Sequence, residues 1–176
     1  FMMTVSFTDT FDKLNGFEPS MIFVAVGTPT DIIDNSADMS YLKSAMVSVG
    51  RYLHARDTFG YFPVLIKSTV PIGTAAAMRT HMIANGIAPA AFTIVSNPEF
   101  LREGSAVADA RVPERIVFGF ENLAMQDDVA VLLNELYISE TDKFIFTDNF
   151  SAELGKYAAN AFLALKVTFI NQLADL

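Results

Sequence analysis

The stretch FPVLIKSTVP, residues 62–71, is an apolar run of strand length that ends in Ser68, Thr69 and a proline. Two other stretches share this design, MIFVAVGTPT at 21–30 and FTIVSNPEF at 92–100. Short apolar runs that are bounded by turn residues are typical of buried strands. The sequence therefore predicts a series of strands, at 21–27, 62–68, 92–96, 115–120 and 143–148. A short strand, TVSFT (4–8), and a helix, FDKLNG (11–16), are expected before them.

Longer stretches with a helical pattern separate these strands. Apolar residues recur near a spacing of 3.6 in residues 38–57, and a second helix at 74–85 is expected to end at Gly86. Two more helices are predicted, at 122–137 and at 151–176, the last with Ser151 as N-cap and Glu153 in its first turn. Because strands alternate with helices, we predict an α/β fold with a mostly parallel sheet and flanking helices.

The composition excludes several classes of protein. Apolar residues make up 52% of the 176 residues and charged residues 18%, which argues against disorder. The net charge of -8 argues against nucleic acid as the main partner. The sequence contains no cysteine, and His54 and His81 lie too far apart for metal-ligand spacing, so no metal site is expected. No stretch is long enough to span a membrane and no signal peptide is visible, so we expect a soluble cytoplasmic protein.

Small polar residues follow each of the first three predicted strands. In a parallel sheet the carboxyl ends of the strands meet at one edge, where ligands of open α/β sheets bind. We therefore expect Thr28, Ser68, Thr69 and Asn97 to present hydrogen-bonding groups to a shared cleft. The alternative is ordinary turn chemistry, since such residues are common in turns of every kind.

Charged residues are concentrated directly after the third strand. Glu99 and Glu103 would share a face if the loop turned helical, and a carboxylate there could act as a general base. Arg102 could hold one of the two glutamates or point into solvent, and Asp109 and Arg115 could pair to stabilise the loop. The alternative is a solvated loop without a chemical role.

The last helix carries two polar residues within an apolar stretch. Lys156 and Asn160 are i,i+4 neighbours, and Gly155 beside them permits the close approach of another backbone. A lysine and an amide on one helix face suit a sugar hydroxyl or a developing alkoxide. The alternative is a lysine near a helix start whose charged end extends into water.

Four segments resemble the UDP-glucose/GDP-mannose 6-dehydrogenase family in order and spacing. They are VAVGTPT, KSTVPIGT, NPEFLREGSAVADARVPERIVFG and AELGKYAANAFLALKVTFINQLADL. The resemblance extends from about Val5 to Leu176, and PEFLREG together with PERIV is more similar to the UDP-glucose enzymes than to the GDP-mannose enzymes. It implies an incomplete Rossmann-like fold that ends in the long central helix of the family.

The resemblance also implies an activity. Members of this family oxidise the C6 alcohol of a nucleotide sugar to a carboxylate with two NAD, through an aldehyde and a cysteine thioester that water hydrolyses. NAD would contact the loops that follow the first two strands and one glutamate, namely Val26, Gly27, Thr28, Pro29, Thr30, Ser68, Thr69, Val70 and Glu103. UDP-glucose is the sugar nucleotide that the motifs favour.

Catalytic and substrate-binding residues are carried over in the same way. Thr69 would position a water, Glu99 would be the acid/base for thioester hydrolysis, and Lys156 with Asn160 would stabilise oxyanions at C6. The sugar nucleotide would be bound by residues of the third loop and the last helix, namely Glu99, Phe100, Leu101, Arg102, Glu103, Lys156, Tyr157 and Asn160.

The chain also departs from the family pattern. Residues 1–150 would form a partial NAD-binding domain that lacks the first β-α-β unit and its glycine fingerprint, and residues 151–176 would begin the central dimerisation helix. Without a cysteine the chain alone is expected to be inactive, and its uncovered surfaces predict a homodimer or higher oligomer. Two alternatives stay open: a non-catalytic nucleotide-binding or assembly module, and part of another β-hydroxyacid-type dehydrogenase. The latter would explain Lys156 and Asn160 but not NPEFLREG.

Overall fold

A five-stranded sheet with the strand order β1-β2-β3-β4-β5 forms the centre of the fold. The structure is a computed structural model that describes residues 5–14, 17–55, 61–137 and 141–176. The strands are β1 (Ile22–Val24), β2 (Phe62–Ile66), β3 (Phe92–Ser96), β4 (Ile116–Phe120) and β5 (Phe144–Asp148). β1, β2 and β3 run parallel, β4 is antiparallel to β3, and β5 is parallel to β4. The prediction of a mostly parallel sheet is therefore confirmed.

Helices occupy most of the connections between the strands. They are α1 (Ser40–Ala55), α2 (Thr74–Ala84), α3 (Ala106–Arg111), α4 (Gln126–Leu136) and α5 (Asn149–Ala174). Short 3-10 helices add Phe11–Leu14, Leu123–Met125 and Thr141–Lys143. The short helix α3 was not predicted, because its six residues are fewer than two turns and carry no apolar period.

The N-terminal expectations are met only in part. Residues 5–8 of TVSFT are not in a strand, and residue 4 lies outside the described residues. The expected helix at 11–16 is a single 3-10 turn over Phe11–Leu14, while residues 15 and 16 lie outside the described part. The last two residues of the predicted helix 38–57 also lie outside it.

The core is divided between the two faces of the sheet. Val64, Ile66 and Ile94 belong to the cluster on the side of α1 and α2. Leu65 and Val95, which alternate with them along the same strands, belong to the cluster on the other face, together with residues of α4. Successive side chains of a strand point to opposite faces, and a sheet covered on both faces needs apolar residues at every position. This explains why the strand sequences are continuous apolar runs.

Helix α5 begins at Asn149, two residues before the expected start, and its N-cap is Asp148. The Asp148 carboxylate accepts a hydrogen bond from Ser151 N at 2.9 Å and one from Ser151 Oγ at 2.6 Å. These bonds from Ser151 hold the pKa of the Asp148 carboxyl below its usual value. The prediction of Ser151 as N-cap is therefore wrong, because the chain enters the helix directly from β5 and Asp148 supplies the cap first.

The first two turns of α5 pack closely on β4 at Gly119. A Cβ atom at Gly119 would lie 2.7 Å from the Cβ of Ala152 and 2.9 Å from the Cα of Asn149. Contacts this short are not tolerated, so only glycine allows this approach of helix and strand. The buried face of α5 is formed by Asn149, Ala152, Glu153 and Lys156.

The second half of α5 is exposed. In the part of the chain that the structure describes, every residue from 160 to 176 is exposed to solvent. Phe162, Leu163, Leu165, Phe169 and Ile170 each expose more than half of their surface. Within the described residues no helix is long and apolar enough to cross a membrane.

Candidate functional site

The ends of three parallel strands and the start of a fourth meet at one edge of the sheet. β1, β2 and β3 run in the same direction, so the loops that follow them emerge side by side. Because β4 is antiparallel to β3, its first residues lie at this same edge. The structure thus brings the segments 26–30, 68–70 and 97–103 to a single edge, as the parallel sheet predicted.

Two hydroxyl groups join the loops that follow β1 and β2. Ser68 Oγ donates a hydrogen bond to Val26 O at 2.6 Å, and Thr28 Oγ1 donates to Thr69 O at 2.8 Å. Gly27 between them is exposed, and a Cβ atom there would meet nothing within 4 Å. At Gly27 the joined loops therefore present bare backbone to open space at the carboxyl ends of parallel strands. This arrangement fits a dinucleotide cofactor, which needs close approach to the backbone at this edge.

The sequence predicted that Asn97 faces the cleft, and this prediction is wrong. Its side chain is fully buried, and Nδ2 donates to Val117 O at 2.9 Å. The amide oxygen accepts a hydrogen bond from Lys67 Nζ at 3.3 Å. Asn97 therefore holds the end of β3 to the start of β4, which is a structural role. The sequence reasoning did not select Lys67, although a lysine at the end of a buried strand was a visible signal.

Lys67 stands in an environment of mixed charge. Burial lowers the pKa of its ammonium, the nearby Glu99 carboxylate acts in the opposite direction, and Lys156 lowers it further. Two ammonium groups therefore share the neighbourhood of one carboxylate at this edge of the sheet.

The central pair of the site is Lys156 with Glu99. The Nζ atom of Lys156 lies 3.2 Å from Oε1 of Glu99, and the two side chains are 7% and 30% exposed. The ammonium also lies 5.3 Å from the centre of the Phe100 ring. Lys156 therefore points into the protein, which excludes the alternative that its charged end extends into water. Glu99 is likewise not a freely solvated loop charge, because its other oxygen accepts the Leu101 amide.

A pocket of about 340 Å³ opens beside this pair. It brings together five residues of the predicted substrate site, namely Phe100, Leu101, Arg102, Lys156 and Asn160. Val112, Pro113, Ala159 and Leu163 add an apolar wall that the sequence reasoning missed, since apolar loop and helix residues give no separate signal. Glu99, Glu103, Tyr157 and Thr69 do not line this pocket, although Glu99 contacts Lys156, which does. Five of the eight predicted substrate residues thus converge from one loop and one helix, and the predicted cofactor residues other than Glu103 lie along the neighbouring loops.

Arg102, in the loop after β3, forms three hydrogen bonds with Asp109 of helix α3. Arg102 Nη2 lies 2.6 Å from Asp109 Oδ1, and Arg102 Nε and N both donate to Oδ2. Ser105 Oγ donates to the same oxygen at 3.0 Å. The hydrogen bonds from Arg102 hold the pKa of the Asp109 carboxyl well below its usual range. The predicted pairing of Asp109 with Arg115 is therefore wrong, and Arg102, for which a glutamate or solvent was expected, contacts Asp109 instead.

Arg115 stacks on an aromatic ring instead. Its guanidinium carbon lies 4.2 Å from the centre of the Phe100 ring, and its Nη1 atom lies 3.8 Å from Oε2 of Glu114. Glu99 and Glu103 do not share a helical face, because the segment 97–102 is irregular and residues 103–105 form a turn. Pro98 and the Arg102–Asp109 contact hold this segment in a non-helical path.

The fold, with its joined loops at the carboxyl edge of the parallel strands, is typical of a nucleotide-binding α/β domain. Comparison with protein families narrows this class. Residues 4–139 match the model of the NAD binding domain of the UDP-glucose/GDP-mannose dehydrogenase family, and residues 150–176 match the central domain of the same family. The chain belongs to the UDP-glucose/GDP-mannose dehydrogenase family. The predicted family and its cofactor, NAD, are thereby confirmed.

Individual relatives support the same assignment. UDP-glucose 6-dehydrogenase of Rhizobium meliloti is 40% identical over 175 residues, which are 98% of this chain and 38% of that protein. UDP-glucose 6-dehydrogenase TuaD of Bacillus subtilis is 40% identical over 156 residues, 89% of this chain and 32% of that protein. The chain therefore spans about a third of the length of these relatives.

Solved structures confirm the Rossmann-like fold. A UDP-glucose dehydrogenase from Pyrobaculum islandicum superposes with a TM-score of 0.82 at 37% identity, over 96% of this chain and 37% of that chain. A ternary complex of GDP-mannose dehydrogenase from Pseudomonas aeruginosa gives a TM-score of 0.78 at 30% identity, over 93% of this chain and 36% of that one.

Proposed function

We propose that this chain provides the NAD-binding loops and one wall of the sugar-nucleotide site of a UDP-glucose 6-dehydrogenase. The reaction is the oxidation of UDP-glucose by two NAD to UDP-glucuronate. The observation that carries the proposal is the Lys156–Glu99 pair, 3.2 Å apart, beside a pocket of about 340 Å³. A lysine and a carboxylate beside a pocket are the groups needed to stabilise an oxyanion and to move a proton.

The loops joined by Ser68 and Thr28 would hold the cofactor. The contact residues we propose are Val26–Thr30 and Ser68–Val70, with Glu103 near the nicotinamide. The hydrogen bonds between the two loops fix their backbones in place before a ligand binds, which lowers the entropy cost of binding. When bound, NAD supplies the hydride acceptor for each oxidation step.

Lys156, Asn160 and Glu99 would act on the C6 group of the sugar. The Lys156 ammonium is almost fully buried, so its charge interacts strongly with an oxyanion that develops in the pocket. Asn160 lines the same pocket one helical turn away and would donate a second hydrogen bond. Glu99 would accept a proton from an attacking water, which Thr69 helps to position. Phe100, Leu101, Arg102 and Tyr157 would contact the rest of the sugar nucleotide.

The 176 residues contain no cysteine, so the thioester step needs a nucleophile from outside them. We infer that these residues alone bind ligands but do not turn over UDP-glucose. In this proposal residues 1–150 act as the cofactor domain, residues 151–176 begin the helix that builds a homodimer or higher oligomer, and the protein acts in the cytoplasm.

Isothermal titration calorimetry with the purified chain tests the proposal. We expect saturable binding of NAD and of UDP-glucose, and no formation of NADH when both are present. Lys156→Met should weaken the binding of UDP-glucose by about tenfold or more, because it removes a hydrogen bond from a charged donor. Lys166→Met, which changes an exposed lysine on the same helix, is the matched control and should leave the affinity unchanged.

Three results would count against the proposal. If neither NAD nor UDP-glucose binds, the chain has no ligand site of the proposed kind. Equal losses of UDP-glucose affinity in Lys156→Met and Lys166→Met would show that Lys156 has no specific role in binding. Stoichiometric NADH formation would contradict the inferred inactivity.

The exposed apolar half of α5 favours a second candidate function, that of a non-catalytic assembly module. Robust self-association without any nucleotide binding would support this candidate instead.

A further inference from the structure

Glu153 is a buried carboxylate for which the proposed chemistry has no use. Its side chain is 2% exposed, and it lies on the same face of α5 as Lys156, one helical turn earlier. A charged group is this deeply buried only when its oxygens are well satisfied by hydrogen bonds. The hydrogen-bond donors to the Glu153 carboxylate therefore show which parts of the chain this residue joins.

Its two oxygens bind three groups from two other parts of the chain. Oε2 accepts a hydrogen bond from Gly73 N at 2.6 Å, and Oε1 accepts one from Ala75 N at 2.8 Å. Oε1 also lies 3.2 Å from Ser96 Oγ, which donates to it. The two amides belong to the first turn of α2 and the residue before it, where the backbone leaves N–H groups without helical partners.

These three partners lie within a few residues of the proposed site along the chain. The amide of Gly73 follows the cofactor loop Ser68–Val70 after two residues, and Ser96 precedes Glu99 by three. Asn149, on the same helix face, adds a second link to β3, because its Oδ1 accepts the Ser96 amide at 3.0 Å. The carboxylate of Glu153 thus joins the helix of Lys156 to the segments on which the cofactor loop and Glu99 lie.

We infer that Glu153 is a positioning residue that sets the register of α5 on the sheet and so holds the Lys156 ammonium beside Glu99. The inference deepens the proposed function, because the value of this position rests on Lys156 acting in the site. Glu153 itself touches no ligand in this view. Without its hydrogen bonds, the buried face of α5 is held by Asn149, by the contact of Ala152 with Gly119 and by Lys156 itself.

Chemical labelling of lysines tests the inference in the chain as it exists, without NAD or a sugar nucleotide. The chain is treated with a limiting amount of an acetylating reagent, and the rate at each lysine is read by peptide mass spectrometry. In Glu153→Ala we expect the rate at Lys156 to rise by about fivefold or more toward that of exposed Lys166, because local opening exposes the amine. The rate at Lys67, which is held by Asn97, should not rise, because the departure of Lys156 removes a neighbouring charge that lowers the pKa of the Lys67 ammonium.

Two further variants sharpen the result. Glu153→Gln keeps the shape and one acceptor oxygen, so the rate at Lys156 should lie between wild type and Glu153→Ala. Glu135→Ala, which removes an exposed glutamate from α4, should match wild type at every lysine.

Two results would overturn the inference. One is an unchanged rate at Lys156 in a folded Glu153→Ala protein. The other is an equal rise at Lys67 and Lys156, which would show that Glu153 stabilises the fold as a whole. Both readouts are independent of ligand binding, so a failure of the proposed function would not be confused with a failure of this inference.

Discussion

Lys156 and Glu99 are 57 residues apart in the chain, yet their charged atoms lie 3.2 Å from each other. The lysine comes from the second turn of α5 and the glutamate from the loop after β3. The two side chains differ in burial, since that of Lys156 is 7% exposed and that of Glu99 is 30% exposed. The loss of the glutamate therefore leaves a buried ammonium with its charge uncompensated, whereas the loss of the lysine leaves a carboxylate that water can still reach.

This asymmetry gives the first prediction. Glu99→Ala should lower the free energy of unfolding by about 1–3 kcal/mol, the cost of leaving a buried charged donor unsatisfied. Glu103→Ala removes an exposed carboxylate four residues further on and should change stability by less than about 0.5 kcal/mol. Urea unfolding of both variants measures the difference. Equal changes in the free energy of unfolding of the two variants would show that the Lys156–Glu99 contact contributes nothing to stability.

The second prediction concerns Asp109 and pH. Hydrogen bonds from Arg102 lower the pKa of this carboxyl below its ordinary value of 3.8, so the folded state favours the ionised form. The stabilisation is therefore complete above pH 3.8 and is lost as the pH falls through the lower pKa of the folded state. Asp109→Asn should lower the Tm near neutral pH, and the difference from wild type should shrink in acid.

Thermal unfolding followed by circular dichroism over a pH series measures this effect. Asp175→Asn, at the exposed end of α5, is the matched control and should show no such dependence. A difference between Asp109→Asn and wild type that stays constant down to strongly acidic pH would contradict the assignment of the effect to this carboxyl.

The strand positions could be predicted from the sequence because both faces of the sheet are covered. Covered strands are continuous apolar runs, and β3 was predicted with its observed bounds, Phe92–Ser96. The position of α5 was also clear, but its first residue was not, since both Asp148 and Ser151 are good N-caps. Only the direct entry of the chain from β5 decides between them.

The side-chain partners in the site were harder to predict. Arg102 had several carboxylates within reach along the sequence, and its choice of Asp109 depends on the turn at residues 103–105 that brings the two together. The burial of Asn97 likewise depends on the antiparallel pairing of β4 with β3, which places Val117 O beside it. Such contacts follow from the path of the backbone, and local sequence patterns do not specify that path.

The third prediction tests the close approach of α5 to the sheet. Gly119→Ala places a methyl group 2.7 Å from the Cβ of Ala152, so it should destabilise the fold by about 1–3 kcal/mol through overpacking. Gly155→Ala is the matched change on the helix itself, where a Cβ atom meets nothing within 4 Å. It should stabilise the chain by about 0.5–1 kcal/mol, because alanine favours the helix over glycine. Chemical denaturation measures the free energy of unfolding of both variants. An unchanged value in Gly119→Ala would show that α5 can shift away from β4 at little cost.

The fourth prediction concerns the exposed half of α5. A helix segment that is apolar around most of its circumference is stable in water only when another surface covers it. We expect the 19.3 kDa chain to form dimers or larger assemblies at micromolar concentration. Ile170→Glu, in the exposed half, should shift the mass toward that of the monomer, because a carboxylate in an apolar interface is costly to bury.

Val131→Glu, at an exposed apolar position on α4, is the matched control and should leave the mass unchanged. Light scattering coupled to size exclusion measures all three proteins, and a monomeric wild type would show that the exposed apolar half of α5 does not drive assembly of this chain.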